Sequence, residues 1–416
     1  MKILWVKPGK LLPPDTGGKL RTYNILRHLS RTHELTYLSY YPGPQDQAYE
    51  RDVLTHLPGT ISVCTLPPPS GPLQRYADYL RSLAQAAPYA VAKFADPQVK
   101  KLLEEWIRQK RFDVAVCDFL ASALNFPNQL QTPTALFQHN VESVLWQRRG
   151  SFEGKWLDRM VSKLESAKMN RFEPAQTRRF HHVIAVSEAD RQTMSSMVDP
   201  SRISVVPTGV DLSKFQYDPD LRPSAPLVVF TGSMDWAPNV DGVEFFCKEI
   251  WPLVLAKIPA ARFRIVGRDP RPRVMKLASA SVEVTGSVPS IIRHLQEAAV
   301  FVVPLRIGGG TRIKIYEGMA MGKATVSTTI GAEGLDVQHG RDIFLEDSPA
   351  GFAGAILTLL QNEDVRRKYE AAAAATARKY DWSLITERFV EVLQKTIDAA
   401  RGNEFSINPQ AADVGA

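Results

Sequence analysis

Residues 301–335 read FVVPLRIGGGTRIKIYEGMAMGKATVSTTIGAEGL, and this stretch decides the fold. A short apolar run, Phe301 to Val303, has the character of a buried strand and stops at Pro304. Three glycines follow, Gly308, Gly309 and Gly310, and helical patterning then runs from Thr311 to Met321. Strand, glycine turn and helix start together present unpaired N–H groups and a positive helix end to an anion. Glycine suits the turn because a Cβ would hold a phosphate or a sugar off the amides. Thr311 is the expected N-cap, its hydroxyl accepting from an N–H one turn on. Arg312 and Lys314 lie near that mouth, placed for charge-assisted contacts to a diphosphate. Glu317, in the second turn, suits a pair of neighbouring hydroxyls such as those of a ribose. The alternative is an ordinary glycine-rich turn with a solvated Arg, Lys and Glu.

Working outward, the same alternation recurs on both sides. Strand-type runs appear at KILWV (2–6), ELTYLSY (34–40), ISVCTL (61–66), FDVAVCD (112–118), PTALFQHN (133–140) and HVIAVS (182–187). Helix-like segments such as Lys19 to Ser30 and Gln98 to Lys110 lie between them. The second half repeats the rhythm with LVVFTG (227–232), RFRIVG (around 264–267), VEVTG (282–286), VFVVP (300–304), ATVST (324–328) and IFLED (343–347). Alternation of this kind implies parallel strands with right-handed crossovers. The expected fold class is α/β, with two Rossmann-like doubly wound domains facing a central cleft. The turn-forming VVPTGVD (205–211) marks the junction. The expected division is 1–206, 207–380, a C-terminal helix over 381–401 and a flexible tail over 402–416. That helix puts Leu384, Phe389, Val392 and Leu393 on its apolar side.

Composition bounds the class. With 416 residues, 44% hydrophobic and 23% charged, the chain holds two ordinary domains, each with a full core. No apolar run approaches the roughly 18 residues of a membrane-spanning helix. MKILWVKPGK reads as a first strand rather than a leader. Three well-separated cysteines, Cys64, Cys117 and Cys247, have no metal spacing and suit a reducing compartment. The cytoplasm is the expected location, with peripheral attachment to the inner face of a membrane as a refinement. Net charge is +7, and the first 210 residues carry 27 Lys and Arg against 19 Asp and Glu. A basic first half points to an anionic partner. Lys155 to Arg179 is the expected contact, a long amphipathic helix with a basic face. A merely solvated face is the alternative. Nothing matches a nucleic-acid module.

The segment KIYEGMAMGKATVST (314–328), followed by GAEGL, resembles the nucleotide-sugar signature of the retaining GT-B enzymes of glycosyltransferase family 4, group 1, exopolysaccharide type. VVPTGVD resembles that family's V-x-P-N-G-V-D element, with Thr208 in place of Asn. The family carries two glutamates eight positions apart. The second corresponds to Glu317 and is implied to bind the donor ribose. The first falls on Gly309, which leaves its role to the Gly309–Arg312 amides or to another residue. The P-x-x-G-G of the first half (Gly17, Gly18) precedes a helix with Leu20, Tyr23, Leu26 and Leu29, and its amides are implied to face donor phosphates or acceptor. A long loop with three prolines there argues against a dinucleotide turn.

FQHNVES (137–143) sets His139 at the carboxyl end of a strand, and the resemblance implies that His139 contacts and orients the donor sugar, with Glu142 structural. In the second half, TGSMDWAPNVDGVEFF (231–246) makes its turn at Gly232 and Ser233, with Asn239 as the expected cap of the next helix. That loop lacks the Arg and Lys usual in the family, so Arg312, Lys314 or Arg268 is implied to grip the diphosphate. Gly286 to Val288 resembles a base-reading turn, and Glu333 a recurrent acid near the donor. The resemblance also implies that the last helix returns to the first lobe. The activity implied is sugar transfer with retention from a nucleoside-diphosphate sugar to an acceptor hydroxyl of a carbohydrate or lipid-linked acceptor. Polysaccharide or glycolipid biosynthesis is its setting. No cofactor or metal is expected beyond the donor, because amides, helix dipole and basic groups stabilise the leaving diphosphate. Two alternatives stay open: a 2-epimerase-like enzyme that does not transfer, and a non-catalytic sugar-nucleotide binding protein.

Overall fold

The computed structural model describes residues 1–66, 71–152, 156–307 and 311–406. The expectations placed on Lys155, on Gly308 to Gly310 and on the chain beyond 406 lie outside these residues. Two compact units are present: Met1–Pro207 together with the chain from Ile385 onward, and Thr208–Leu384.

The first unit is built on seven parallel strands: β1 (Lys2–Pro8), β2 (Glu34–Pro42), β3 (Thr60–Thr65), β4 (Val114–Asp118), β5 (Thr134–Phe137), β6 (His182–Ala185) and β7 (Ile203–Val205). Their order is β3-β2-β1-β4-β5-β6-β7, so the direction of winding reverses between β1 and β4. Every residue of β4 and β5 is buried, as expected of parallel strands covered on both faces. Several helix starts are closed by short polar side chains. Asp96, for example, accepts from the N–H groups of Gln98 and Val99 at the start of Pro97–Arg108. The helix Trp382–Ser406 lays Phe389 against Trp5 and Phe137, at ring distances of 5.2 and 5.1 Å. It runs past the expected end at 401.

The second unit has six strands: β8 (Leu227–Thr231), β9 (Arg262–Val266), β10 (Val282–Gly286), β11 (Val300–Val303), β12 (Thr325–Ser327) and β13 (Phe344–Leu345). Their order is β10-β9-β8-β11-β12-β13, again parallel, with the reversal between β8 and β11. Phe230, Phe246, Phe263, Phe301 and Phe352 fill its core.

Three local expectations are corrected. Leu384 is 41% exposed, and Ile385 takes its place on the buried side of the last helix, in phase with Phe389, Val392 and Leu393. The glycines Gly17 and Gly18 form the first turn of the helix Gly17–Leu29 rather than preceding it, capped by the Thr16 hydroxyl. The buried face of that helix is led by Arg21, Thr22, Ile25 and Leu29, while Leu20 and Tyr23 are only partly covered. The basic segment is one helix, Trp156–Arg179, as expected, and it buries Glu165 and Glu173 among its basic residues. Among the described residues no helix is long and apolar enough to cross a membrane.

Candidate functional site

In the second unit, the carboxyl ends of β8, β9 and β11 lead into Gly232, Arg268 and the segment before the helix Ile313–Ala320. Crevices at such a reversal point are where open α/β sheets bind ligands. The helix begins later than its patterning suggests. Arg312, not Thr311, occupies the N-cap, and no side chain caps the helix there. Lys314 points back across β8. Its Nζ donates to Asn239 Oδ1 at 3.0 Å and lies 4.3 Å from the centre of the Phe230 ring. Asn239 does not cap its own helix, Ala237–Phe245, whose N-cap is Trp236. Instead its amide donates to the Ser233 carbonyl at 2.8 Å and holds its oxygen towards Lys314. Gly232 makes room for this pair, since a Cβ there would lie 2.6 Å from both Asn239 Nδ2 and Lys314 Nζ.

Burial pulls the Lys314 ammonium down to about 7; the neighbouring Arg312 charge pushes the same way and Glu317 opposes it. Burial likewise raises the Glu317 carboxyl, against the pull of Lys214 and Lys314. Arg312 is buried, with its guanidinium 5.3 Å from the centre of the Trp236 ring, and that ring is 41% exposed. Arg268 donates through Nε to Ser233 Oγ at 3.1 Å, and Arg271 donates to the Asp235 carbonyl at 2.8 Å. Arg312, Lys314, Glu317, Gly232 and Arg268 are thus linked through Asn239, Ser233 and mutual fields. Glu333 lies apart on the turn after β12, partly exposed. Gly286, at φ +71°, ends β10. Gly308, Gly309 and Gly310 lie outside the described residues.

In the first unit, His139 sits two residues beyond β5, at the same sheet edge as the ends of β1 and β4. Both ring nitrogens are engaged. Nε2 meets Asp118 Oδ1 at 2.6 Å and Nδ1 meets Arg21 Nη1 at 2.7 Å. A guanidinium only donates, so Nδ1 must accept and the ring proton must sit on Nε2, donated to Asp118. His139 is therefore held neutral in one tautomer. Burial lowers it to about 4, overcoming the opposite pull of Asp118. Asp118 is itself fully buried and accepts from Thr22 Oγ1 at 2.6 Å and Trp5 Nε1 at 3.0 Å. Burial would raise this carboxyl, but His139, Lys7 and Thr22 together hold it below the usual carboxylate range.

Phe119 completes the cluster. Its backbone is at φ +68°, a region costing a non-glycine residue about 1–3 kcal/mol. The ring lies flat on His139, 3.8 Å between centres and 5° between planes, with Lys7 Nζ 4.4 Å from its centre. A Cβ on Gly18 would lie 2.6 Å from Phe119 Cζ, so Gly18 gives the ring its place. Lys7, Arg21, Thr22, Asp118 and Phe119 escaped the sequence reading. Lys7 and Asp118 had a signal: each is a charged residue at the carboxyl end of an apolar parallel strand.

Nearby, Glu173 is buried and accepts from the N–H groups of Glu142 and Ser143, each at 2.9 Å. Burial and the Glu173 charge push the Glu142 carboxyl up to about 7. Among the described residues, no group of three or more His, Cys, Asp and Glu is placed to hold a metal ion.

Two family models match the chain, one for each unit in the main. "Glycosyltransferase Family 4" matches residues 16–214 and "Glycosyl transferases group 1" matches residues 225–362. Phosphatidyl-myo-inositol mannosyltransferase of Mycolicibacterium smegmatis is 26% identical over 223 residues, 51% of this chain and 56% of that protein. GDP-mannose:cellobiosyl-diphosphopolyprenol alpha-mannosyltransferase of Xanthomonas campestris is 25% identical over 244 residues, 54% of this chain and 61% of that protein. The match thus spans little more than half the length of these curated relatives. The fold extends further. Sucrose-phosphate synthase of Thermosynechococcus elongatus superposes with a TM-score of 0.70 at 16% identity, covering 96% of this chain and 100% of that one. Two parallel sheets of the GT-B type, and a family match in each unit, make this chain a member of the group 1, family 4 glycosyltransferases.

Proposed function

We propose that the protein transfers a hexose, with retention, from a nucleoside-diphosphate sugar to an acceptor hydroxyl in polysaccharide or glycolipid biosynthesis. The observation that carries this reading is the cationic cluster of Arg312, Lys314 and Arg268 around Gly232, at the reversal point of the second sheet. A diphosphate leaving group gathers charge as the anomeric bond loosens. Fixed cations in a partly dehydrated site stabilise that charge without reorganising at the moment of reaction. Lys314, titrating near 7, gains its full charge when an anion arrives. Glu317, one turn along the helix from these cations, is the acceptor for ribose hydroxyls, and Gly308 to Thr311 supply amides to the phosphates. His139 enters as a neutral positioning group for the donor sugar, since both of its nitrogens are committed. In same-face attack the departing phosphate takes the acceptor proton, so the reaction needs no base from the chain. Gly17, Gly18 and Glu333 are proposed at the margins of the donor.

Support for a sugar-nucleotide donor comes from the Xanthomonas relative, whose name records GDP-mannose and a diphosphopolyprenol-linked acceptor. Peripheral contact with an anionic membrane is proposed for the exposed Arg159, Met160, Lys163 and Leu164 of the helix Trp156–Arg179. Calorimetric titration of UDP, GDP, ADP and their sugar conjugates into wild type and Glu317→Ala tests the donor site. One nucleotide bound in the micromolar range and weakened by the substitution is the expected result. No binding by any of them removes the transferase reading.

A further inference from the structure

The first unit contains a cavity of about 860 Å³ at the carboxyl ends of β2 and β3, separate from the His139 cluster but on the same sheet edge. Its volume falls in the range of roughly 300–1,000 Å³ typical of small-ligand sites. Tyr40 of β2 lines it and also donates its hydroxyl to Ser122 Oγ at 3.2 Å, while Ser122 donates to the Asp118 carbonyl at 3.2 Å. One wall of the cavity is therefore continuous with the strand end that carries Asp118.

The lining chemistry narrows the occupant. Tyr89 and Phe94 bring aromatic rings to the lining, and Tyr89 is fixed by a 3.0 Å hydrogen bond to Asp78 and an edge contact with Tyr79. Among the described lining residues the charges balance: Arg81 and Lys93 stand against Asp78 and Asp96. Gln85 adds an amide with both a donor and an acceptor. A phosphate or phospholipid site needs an excess of cations, such as the Arg312 cluster has; the described lining residues carry none. Aromatic rings with paired polar donors and acceptors, and balanced charge among the described lining residues, match the apolar C–H faces and vicinal hydroxyls of a neutral sugar.

We infer that this cavity receives the acceptor as a neutral saccharide of two or three residues. The acceptor role rests on the transferase reading above; the saccharide-binding claim does not. Two variants leave the fold alone, because the altered residues are exposed: Ala77→Trp, which fills the cavity from its rim, and Arg81→Ala/Gln85→Ala, which strips polar partners. Saturation-transfer NMR with mannotriose, maltotriose and cellotriose reads binding, and calorimetry with GDP and UDP on the same proteins reads the donor site. At least one trisaccharide should bind wild type, at least tenfold more weakly in both variants, with nucleotide affinity unchanged. Three results overturn the inference: no trisaccharide binds, binding survives both variants, or phosphatidylinositol vesicles rather than saccharides respond to Ala77→Trp. Saccharide binding without nucleotide binding would leave the cavity assigned and remove the transferase reading instead.

Discussion

Replacing Lys314 with methionine should move stability and affinity in opposite directions. In the fold the ammonium titrates near 7, against an ordinary value of 10.5. A depressed lysine costs the fold its full penalty below the folded pKa and nothing above the unfolded one. The shift corresponds to about 5 kcal/mol below pH 7, vanishing as the pH approaches 10.5. Methionine keeps most of the apolar stem over Phe230 and removes the charge. It also leaves Asn239 Oδ1 without its donor, which costs about 1–3 kcal/mol. Lys314→Met should therefore stabilise the unliganded protein by about 2–4 kcal/mol at pH 6 and destabilise it by up to about 2 kcal/mol at pH 10, where little of the penalty is left to relieve. The same change removes a charge-assisted hydrogen bond to the donor diphosphate, about 1.5–3 kcal/mol, or roughly 10- to 150-fold in Kd. Thermal unfolding across pH 6–10 and calorimetric nucleotide titration at pH 6.5 read the two effects on one preparation. A variant that binds nucleotide like wild type, or whose Tm falls at pH 6, refutes the assignment of Lys314 to the anion site.

Glu142 gives a second pH test of opposite slope. Its carboxyl sits near 7 in the fold against 4.5 unfolded, so the fold is unpenalised below 4.5 and loses up to about 3 kcal/mol as the pH rises through 7. Glu142→Gln should raise Tm at pH 8 and leave it unchanged at pH 4; equal effects at both values would show that its charge is not the cause. Arg21→Met releases His139 Nδ1 and removes a buried cation. The His139 midpoint should climb from about 4 towards its ordinary 6.5, followed through its imidazole NMR signals, and a midpoint that stays put would mean Arg21 does not govern that ring. Wild-type protein should co-sediment with phosphatidylglycerol vesicles and lose this on Arg159→Glu/Lys163→Glu. Equal sedimentation of the two proteins ends the membrane proposal.

The fold was legible because strands covered on both faces leave long apolar runs, and those runs recur at strand-and-helix intervals. The misses were short or peripheral. β7 has only three residues, too short a run to stand out, and its last, Val205, opens the junction segment; PTALFQHN gives up its last residues to the loop that carries His139. Arg312, Lys314 and Glu317 stood out together because one helix start carries all three. Their neighbours Phe230, Trp236 and Asn239 come from some 75 residues earlier and reach them only through the β8–β11 pairing. Arg21 and Thr22 were missed for another reason: helical periodicity assigns the inward face to Leu and Tyr, whereas here two polar residues turn inward to meet Asp118 and His139.

The first unit is discontinuous in sequence, since Phe389 packs on Trp5 and Phe137 only after the whole of Thr208–Leu384 has been made. At roughly 5–20 residues per second, a ribosome needs roughly 10–40 s to cross that interval. Throughout it, Trp5 and Phe137, whose rings meet at 6.0 Å between centres, lack the Phe389 ring that covers them in the finished fold. Synthesis order thus runs against folding order. The unit whose amino acids come first is the one finished last.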